Sequence, residues 1–345
     1  MPSYERNNIW LTRLVSEGHE EGLGEWTLRG SALAGGIPLV LMGTFLWLTR
    51  DAVSTEIAVA QLLAAMLGVI GPAFVWYYDE RLYPLFVEEM SDVVTDQNEL
   101  KAIADRYHAL FAERYWLAVV PWTPALVAAY VLNFEFFLAY GISGFFDPAA
   151  LVYFLLVLWM GLLTGIGLHM AVVSVFFIHE VGKLELVIDP LHPDGFGGLS
   201  SIGRFTIWTT LLISIGSLAF PLAFAIAAQG GYSSIVYTVV AVYIGVLLLS
   251  FFYPTVYINR KANAARNDVL EEKRRRIQAL SERIIEPDSG EDDVGRLATQ
   301  LDVMKNEFEA YRKLTLYPLS VGLITRLASS ILLPLVFIGV EIYLA

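Results

Sequence analysis

One arginine lies inside an apolar stretch near the end of the chain, and a charge in such a position is expected to face protein or water and to mark a pathway. On a helical period Arg326 shares a face with small, hydroxylated and bulky residues. The stripe consists of Gly322, Arg326, Ser329, Ser330, Leu333, Phe337 and Glu341. It predicts an aqueous path lined by the last helix. The alternative is that Arg326 reaches the inner headgroups or pairs with a carboxylate such as Glu180.

The segment 179–198 combines imidazoles, carboxylates, prolines and glycines. Its possible ligands are His179, Asp189, His192 and Asp194. Imidazole with carboxylate suits Zn²⁺, and a membrane-embedded metal-dependent hydrolase would use this set with Glu180. The prolines and glycines favour instead a shaped turn, because proline cannot continue a helix and glycine permits positive φ. We expect the structural turn, with no metal and no other cofactor.

Aromatic residues form a third candidate, a pocket for a small apolar ligand. They collect toward the expected outer half of the membrane region at Phe136, Tyr140, Tyr153, Phe154 and Tyr237. An aromatic belt at the membrane surface is the alternative. We expect His169, in the middle of a span, to be neutral and bonded to a neighbouring helix, and His108 to be solvated.

Composition shows what must surround these residues. Hydrophobic residues make up 56% of the chain and charged residues 17%, against roughly 45–50% and about 25% in soluble domains. Uncharged runs of 20, 22 and 32 residues begin after Arg29, Glu56 and Asp147, and runs of about 18 or more indicate membrane spans. The composition excludes a soluble enzyme, a nucleic-acid-binding domain and a disordered protein. With no cysteine, disulfides and thiolate sites are excluded as well.

The charge composition gives information about the host organism and little about the mechanism. The net charge is −12, and only six of the 23 basic residues are lysine. Acid excess with few lysines favours a halophilic, archaeal source over an ordinary acidic protein.

The sequence predicts an all-α fold with seven transmembrane helices. The spans fall at approximately 30–49, 57–78, 116–140, 148–179, 205–228, 232–258 and 316–344. An amphipathic helix around Ile9, Trp10 and Leu14 is expected in the cytoplasm or against the bilayer. The domain organisation is an N-terminal helix in 1–28, six spans in 29–258 with extensions at 79–115 and 180–204, a helical hairpin in 259–315, and the last span in 316–345.

Basic residues predict the orientation, because their translocation is disfavoured. The segments 1–29, 79–114, 180–204 and 260–313 hold 21 of the 23. We therefore expect a multi-pass protein of the cell membrane with a cytoplasmic N-terminus and an extracellular C-terminus. The short outer loops leave no room for an external domain.

Two segments are expected to extend helices beyond the bilayer. Leu100, Ile103, Tyr107 and Leu110 share a face that leads into the third span, and 268–285 prolongs the sixth. A further helix has a coiled-coil-like seam at Val294, Leu297, Leu301, Met304, Phe308 and Tyr311. This seam would pack either against 268–285 in the same chain or between subunits.

Seven spans in this orientation, a short external face, prolonged third and sixth spans and a closing last span resemble the insect odorant and gustatory receptors. Those receptors belong to a wider group of seven-transmembrane ion channels with prokaryotic members. The resemblance is one of topology, since the aromatic-Gln signature of the insect members is missing from 315–334. It implies a homotetramer, an intracellular anchor, a pore lined by the seventh span and ligand pockets in the outer half of the bundle.

The leading hypothesis is therefore a homo-oligomeric ion channel or channel-like receptor in the lipid bilayer, without a nucleic-acid partner. The metal-dependent hydrolase and a monomeric transporter or sensor are the alternatives. A seventh span at a symmetry axis would favour the channel, because closed rings of subunits create axial paths.

Overall fold

The computed structural model describes residues 8–17, 25–26, 28–229, 233–285 and 291–314 of the 345-residue chain. This part is almost entirely helical, which confirms the predicted all-α class. The helices are α1 Trp10–Val15, α2 Leu28–Leu48, α3 Thr55–Tyr77, α4 Tyr83–Met90, α5 Gln97–Arg114, α6 Trp116–Leu132, α7 Glu135–Leu138, α8 Pro148–Val181, α9 Ser200–Ser214, α10 Phe220–Gln229, α11 Ser233–Ile285 and α12 Glu291–Lys313. Two-residue strands, β1 Ser16–Glu17 and β2 Glu25–Trp26, pair antiparallel.

Five helical stretches within the described residues are long and apolar enough to cross a membrane. They are Thr55–Met90, Gln97–Leu132, Pro148–Val181, Ser200–Gln229 and Ser234–Ile284. A shorter apolar helix occupies Ala34–Leu48. The chain is thus a helical membrane protein by length and composition of its helices, and the predicted last span at 316–344 lies outside the described residues.

The third predicted span ends earlier than its pattern indicated. Helix α6 ends at Leu132 and not near residue 140. The Asn133 side chain donates a hydrogen bond to the Ala129 carbonyl at 2.9 Å, and the chain then turns into the four-residue helix α7. Asparagine side chains compete with the backbone hydrogen bonds of a helix through such local bonds. The helix therefore ends before Asn133 although the apolar sequence continues beyond it.

Two long helical stretches change their hydrogen-bonding period in the middle. A π-helical segment, Tyr78–Leu82, joins α3 to α4. A 3₁₀ segment, Ile215–Ala219, joins α9 to α10. Interruptions of this kind often mark functional positions or hinges, and both lie beside the sites described below.

Helix α11 spans 53 residues, which at 1.5 Å per residue is about 80 Å and far exceeds a hydrocarbon core of about 30 Å. Its end forms an intramolecular hairpin with α12, one of the two arrangements that the seam allowed. Lys273 Nζ lies 2.6 Å from Glu307 Oε2 and 5.2 Å from the centroid of the Tyr311 ring. Arg266 donates to the Leu314 carbonyl at 3.2 Å.

The core has two clusters at opposite ends of the membrane region. The first lies at what we call the basic end, formed by 79–114 and 180–204, where Tyr83 stacks on Phe177 and Phe86 on Phe205 at centroid distances of 4.8 and 4.4 Å. The second lies at the opposite end around Phe136, Phe137 and Tyr153. Helix α8 connects the two ends and contributes to both clusters.

The N-terminal helix packs on protein through a different set of residues from the predicted set. Ile9, Leu11 and Val15 are buried, while Trp10 and Leu14 are partly exposed. A Cβ on Gly30 of helix α2 would collide with the Leu14 carbonyl, so that glycine permits the close approach. Segment 8–15 therefore packs into the basic end of the bundle.

Candidate functional site

The membrane region contains a partly open cavity of about 190 Å³. Helices α2, α3, α6, α8, α10 and α11 and the 3₁₀ segment form its walls, which are almost entirely apolar. Its shape depends on small residues, among them Ala64, Ala65, Gly216, Ala219 and Ala223. An engineered apolar cavity of roughly 150 Å³ is known to bind benzene, so this space suits a compact apolar molecule.

Four polar side chains of the cavity wall are bonded within the protein. Trp122 Nε1 donates to Thr164 Oγ1 at 2.8 Å, and the Thr164 hydroxyl donates to the Met160 carbonyl at 2.5 Å. Tyr130 donates to the Ala150 carbonyl at 3.1 Å, and Tyr243 donates to the Ile213 carbonyl. An occupant would find no offered donor among these four groups. The Tyr153 hydroxyl, on another lining residue, makes no hydrogen bond among the described residues.

Of the five aromatic residues predicted to wall a pocket, Tyr153 lines this cavity. The other four are placed elsewhere. Phe136 is fully buried in the core, Tyr140 donates to Gln229 Oε1 at 2.9 Å, Phe154 packs at the margin of the second cluster, and Tyr237 is 49% exposed on α11. Large aromatic side chains in these positions mostly fill space and do not enclose it.

The segment 179–198 forms a turn at the basic end, stabilised by backbone hydrogen bonds to one carboxylate. Asp194 accepts from the N–H groups of Phe196, Gly198 and Ser200 at 2.8, 3.0 and 3.1 Å. His192 Nδ1 lies 2.9 Å from Asp194 Oδ1. Burial raises the pKa of Asp194, but these hydrogen bonds outweigh it and lower the pKa from 3.8 to about 2.

This turn is attached to the loop between α4 and α5. Val187 N–H donates to the Val93 carbonyl at 2.7 Å, and Thr95 N–H donates to the Glu185 carbonyl at 3.2 Å. Gly198 has φ +92°, and a Cβ there would lie 2.8 Å from Val93 Cγ2. The glycine is thus required by both the backbone and the packing.

The four residues considered as metal ligands are held by different contacts, except that His192 and Asp194 contact each other. His179 Nδ1 lies 2.7 Å from the Tyr253 hydroxyl, and Asp189 accepts from the Leu191 N–H at 2.9 Å. Asp194 and His192 are bonded as above, and Glu180 pairs with Lys183 at 2.6 Å. Among the described residues, no group of three or more histidines and carboxylates is placed to hold a metal ion.

A buried acid–base cluster at the π-helical segment escaped the sequence reasoning. Asp79 and His108 are both essentially inaccessible, with Asp79 Oδ1 2.9 Å from His108 Nε2. The Ile9 N–H donates to Asp79 Oδ2 at 3.2 Å, and the Asn8 side chain donates to the buried Glu80 carboxylate. The expectation that His108 is solvated is therefore wrong, and the two carboxylates attach the N-terminal segment to the bundle.

His169 lies in α8, buried, with Nε2 2.9 Å from the Leu110 carbonyl of α5. This is the contact with a neighbouring helix that the sequence suggested. The predicted pore-lining residues Gly322, Arg326, Ser329, Ser330, Leu333, Phe337 and Glu341 lie outside the described residues.

Comparison of the chain with models of protein families, with curated proteins and with solved structures gave no match.

Proposed function

We propose that the chain is a homo-oligomeric, channel-like receptor of the cell membrane that responds to a small apolar molecule. The observation that carries this proposal is the apolar cavity of about 190 Å³ between the membrane helices. Ligand sites are typically concave, mostly apolar and largely preformed, and sites between the helices of a bundle are common. The cavity also contacts the 3₁₀ interruption through Gly216 and Ala219, so an occupant would press on a position where the helix can bend.

The proposed pore is the face of the last span that carries Arg326, Ser329 and Ser330. An arginine in the middle of a span costs roughly 2.5–3.5 kcal/mol on insertion scales, so water or protein should face it. Leu333 and Phe337 lie one and two turns further on and would form an apolar constriction that closes the path by dewetting. The resemblance to seven-transmembrane channels supports four copies around this path.

The proposed topology has seven spans with the N-terminus and the basic end in the cytoplasm and the C-terminus outside. Its support is the presence of 21 of 23 basic residues in four segments. The topology would place the hairpin of α11 and α12 inside the cell. A reporter fused after Ala345 should be extracellular and one inserted at Ser289 cytoplasmic, and a cytoplasmic C-terminus would refute the channel topology.

The decisive experiment reconstitutes the purified chain into lipid bilayers and records current while benzene, as a compact apolar probe, is added. We expect benzene to change the open probability of the wild type. Replacing Ala65 with Phe should abolish this response, because Ala65 is buried and lines the cavity. The matched control is Leu155→Phe, on an exposed part of α8, which should respond normally.

Two further recordings test the pore itself. Phe337→Ser should raise the basal current by removing the constriction, and Arg326→Glu should shift the ratio of anion to cation permeability. If the reconstituted protein is monomeric and neither change alters any current, the channel proposal is wrong and a monomeric transporter or sensor becomes the better account.

A further inference from the structure

A second, smaller space adjoins the main cavity. It measures about 40 Å³ and is lined mainly by α3, α8 and α9, including Leu67, Phe74 and Leu212. The two spaces have three lining residues in common: Thr164, Gly216 and Tyr243. They are therefore neighbours across a thin wall and not unrelated packing defects.

Tyr243 is the large side chain in that wall. It is 6% exposed, its ring meets Phe220 edge-on at a centroid distance of 5.4 Å, and its hydroxyl donates to the Ile213 carbonyl. A Cβ on Gly216 would collide with the Tyr243 hydroxyl, so the glycine makes room for the ring. Contacts on three sides hold the side chain between the two spaces.

We propose that Tyr243 sets the length of the ligand, and that the ligand is an unbranched hydrocarbon or another mainly apolar, chain-like molecule. The proposal rests on the proposed ligand cavity and specifies its occupant. Trp122, Tyr130, Thr164 and Tyr243 offer no free donor, and the rest of the wall is almost entirely apolar, which favours a mainly hydrocarbon ligand. The ring lines both the main cavity and the smaller apolar space, so its size limits how far a ligand can extend from one into the other.

Shortening Tyr243 should merge the two spaces and extend the site. Each additional buried methylene contributes about 0.8 kcal/mol, which is roughly fourfold in affinity. A ligand that gains two methylenes in the extended site should bind about 15-fold more tightly than it binds the wild type.

Gly167 offers an independent way to close the smaller space again. It lines that space, and a Cβ added to it meets no atom within 4 Å. A side chain at this position in α8 therefore begins in open space, and we expect a leucine there to fill the smaller space. It also replaces a glycine that weakens a helix. Gly167→Leu should cancel the gain produced by shortening Tyr243.

The test measures stabilisation of the protein in lipid nanodiscs by n-alkanes from pentane to decane at matched free aqueous concentrations. For the wild type, the shift in thermal midpoint should grow with chain length and then stop at a limiting length. Tyr243→Ala should move that limit upward by about two carbons, and Tyr243→Leu, which disturbs packing less, should move it in the same direction. The double variant Tyr243→Ala with Gly167→Leu should return to the wild-type limit.

Tyr237→Ala is the matched control, because it makes the same change on the same helix at a residue that is exposed and outside the cavity. Its limiting length should equal that of the wild type. If alkanes stabilise the wild type but the limit is unchanged in both Tyr243 variants, Tyr243 does not set ligand length and the ligand cavity itself stands. If no alkane stabilises the wild type, the ligand cavity is refuted and this inference with it.

Discussion

Removing the Asp79 carboxylate should destabilise the protein far more than removing an exposed carboxylate at the same end. Asp79 is fully buried and accepts from His108 at 2.9 Å and from the Ile9 N–H at 3.2 Å. Breaking a buried pair by removing one partner costs about 3–5 kcal/mol, since the other partner stays in a medium of low polarity. We expect Asp79→Ala to lower the free energy of unfolding by this amount.

A double-mutant cycle separates the pair from its surroundings. His108→Ala should cost about as much as Asp79→Ala, but the double variant should cost less than the two single costs combined, because no unpaired partner then remains buried. The coupling should be about 1–3 kcal/mol. The measurement is thermal or denaturant unfolding of the purified protein in detergent.

The chain contains no cysteine, so one introduced cysteine reports local opening without interference. Thr12 is fully buried in α1, and Thr12→Cys should react slowly with a water-soluble maleimide. With Asp79→Ala added, segment 8–15 loses its hydrogen bond through Ile9. The labelling rate should rise about tenfold, which corresponds to roughly 1.4 kcal/mol of lost anchoring.

The control is Glu180→Ala. Glu180 pairs with Lys183 at 2.6 Å and Arg106 at 3.6 Å, and both partners are more than half exposed. Exposed pairs contribute about 0–1 kcal/mol. If Asp79→Ala costs no more than Glu180→Ala, or if the costs of Asp79 and His108 simply add, the buried pair is not an energetic unit.

Three further outcomes follow from other contacts. The folded-state pKa of Asp194 is lowered from 3.8 to about 2. Its ionised form therefore stabilises the fold by about 2 kcal/mol above pH 4, and this stabilisation is lost as the pH falls to about 2. Unfolding of Asp194→Asn should lack this part of the acid dependence, and a pH profile identical to that of the wild type would contradict the assignment. Gly198→Ala should lower the free energy of unfolding by about 1–3 kcal/mol, because Gly198 has a positive φ and a Cβ there would contact Val93. No loss of stability in thermal unfolding would mean that the turn relaxes freely. Lys273→Ala should cost at most about 1 kcal/mol, because Glu307 is 54% exposed, and a larger loss in denaturant unfolding would show that the hairpin contributes more than its ion pair.

The long helices could be predicted because a charge in a membrane span is expensive and its absence over a run is visible in the sequence. The runs after Glu56 and Asp147 correspond to α3 and α8. The end of α6 at Leu132 could not be located in this way, since Asn133 is uncharged and acts through a local hydrogen bond. Hydropathy predicts where a helix can lie in a membrane, and polar capping decides where it ends.

The burial of His108 did leave a signal in the sequence. On α5 it follows Leu100 and Ala104 at intervals of four and precedes Phe111 by three, and all four side chains are buried. The predicted face at Leu100, Ile103, Tyr107 and Leu110 was shifted toward the half-buried edge. Its partner Asp79 precedes it by 29 residues, and no local sequence pattern joins the two. The pair can therefore be recognised only in the folded structure.

The cavity lies largely away from the aromatic residues that the sequence suggested as a ligand pocket, since Tyr153 alone among those five lines it. An aromatic side chain in a close-packed interior occupies the volume that a ligand would need, and Phe136 and Phe137 do so completely. Space remains where helices meet through alanine and glycine, as they do at Ala64, Ala65 and Gly216. The sequence shows each of these small residues, but whether they face one another depends on the rotation of several helices about their axes. A search for cavities in such membrane bundles should therefore look for small residues that converge from different helices, together with the aromatic rings, here including Tyr130 and Tyr243, that complete the wall.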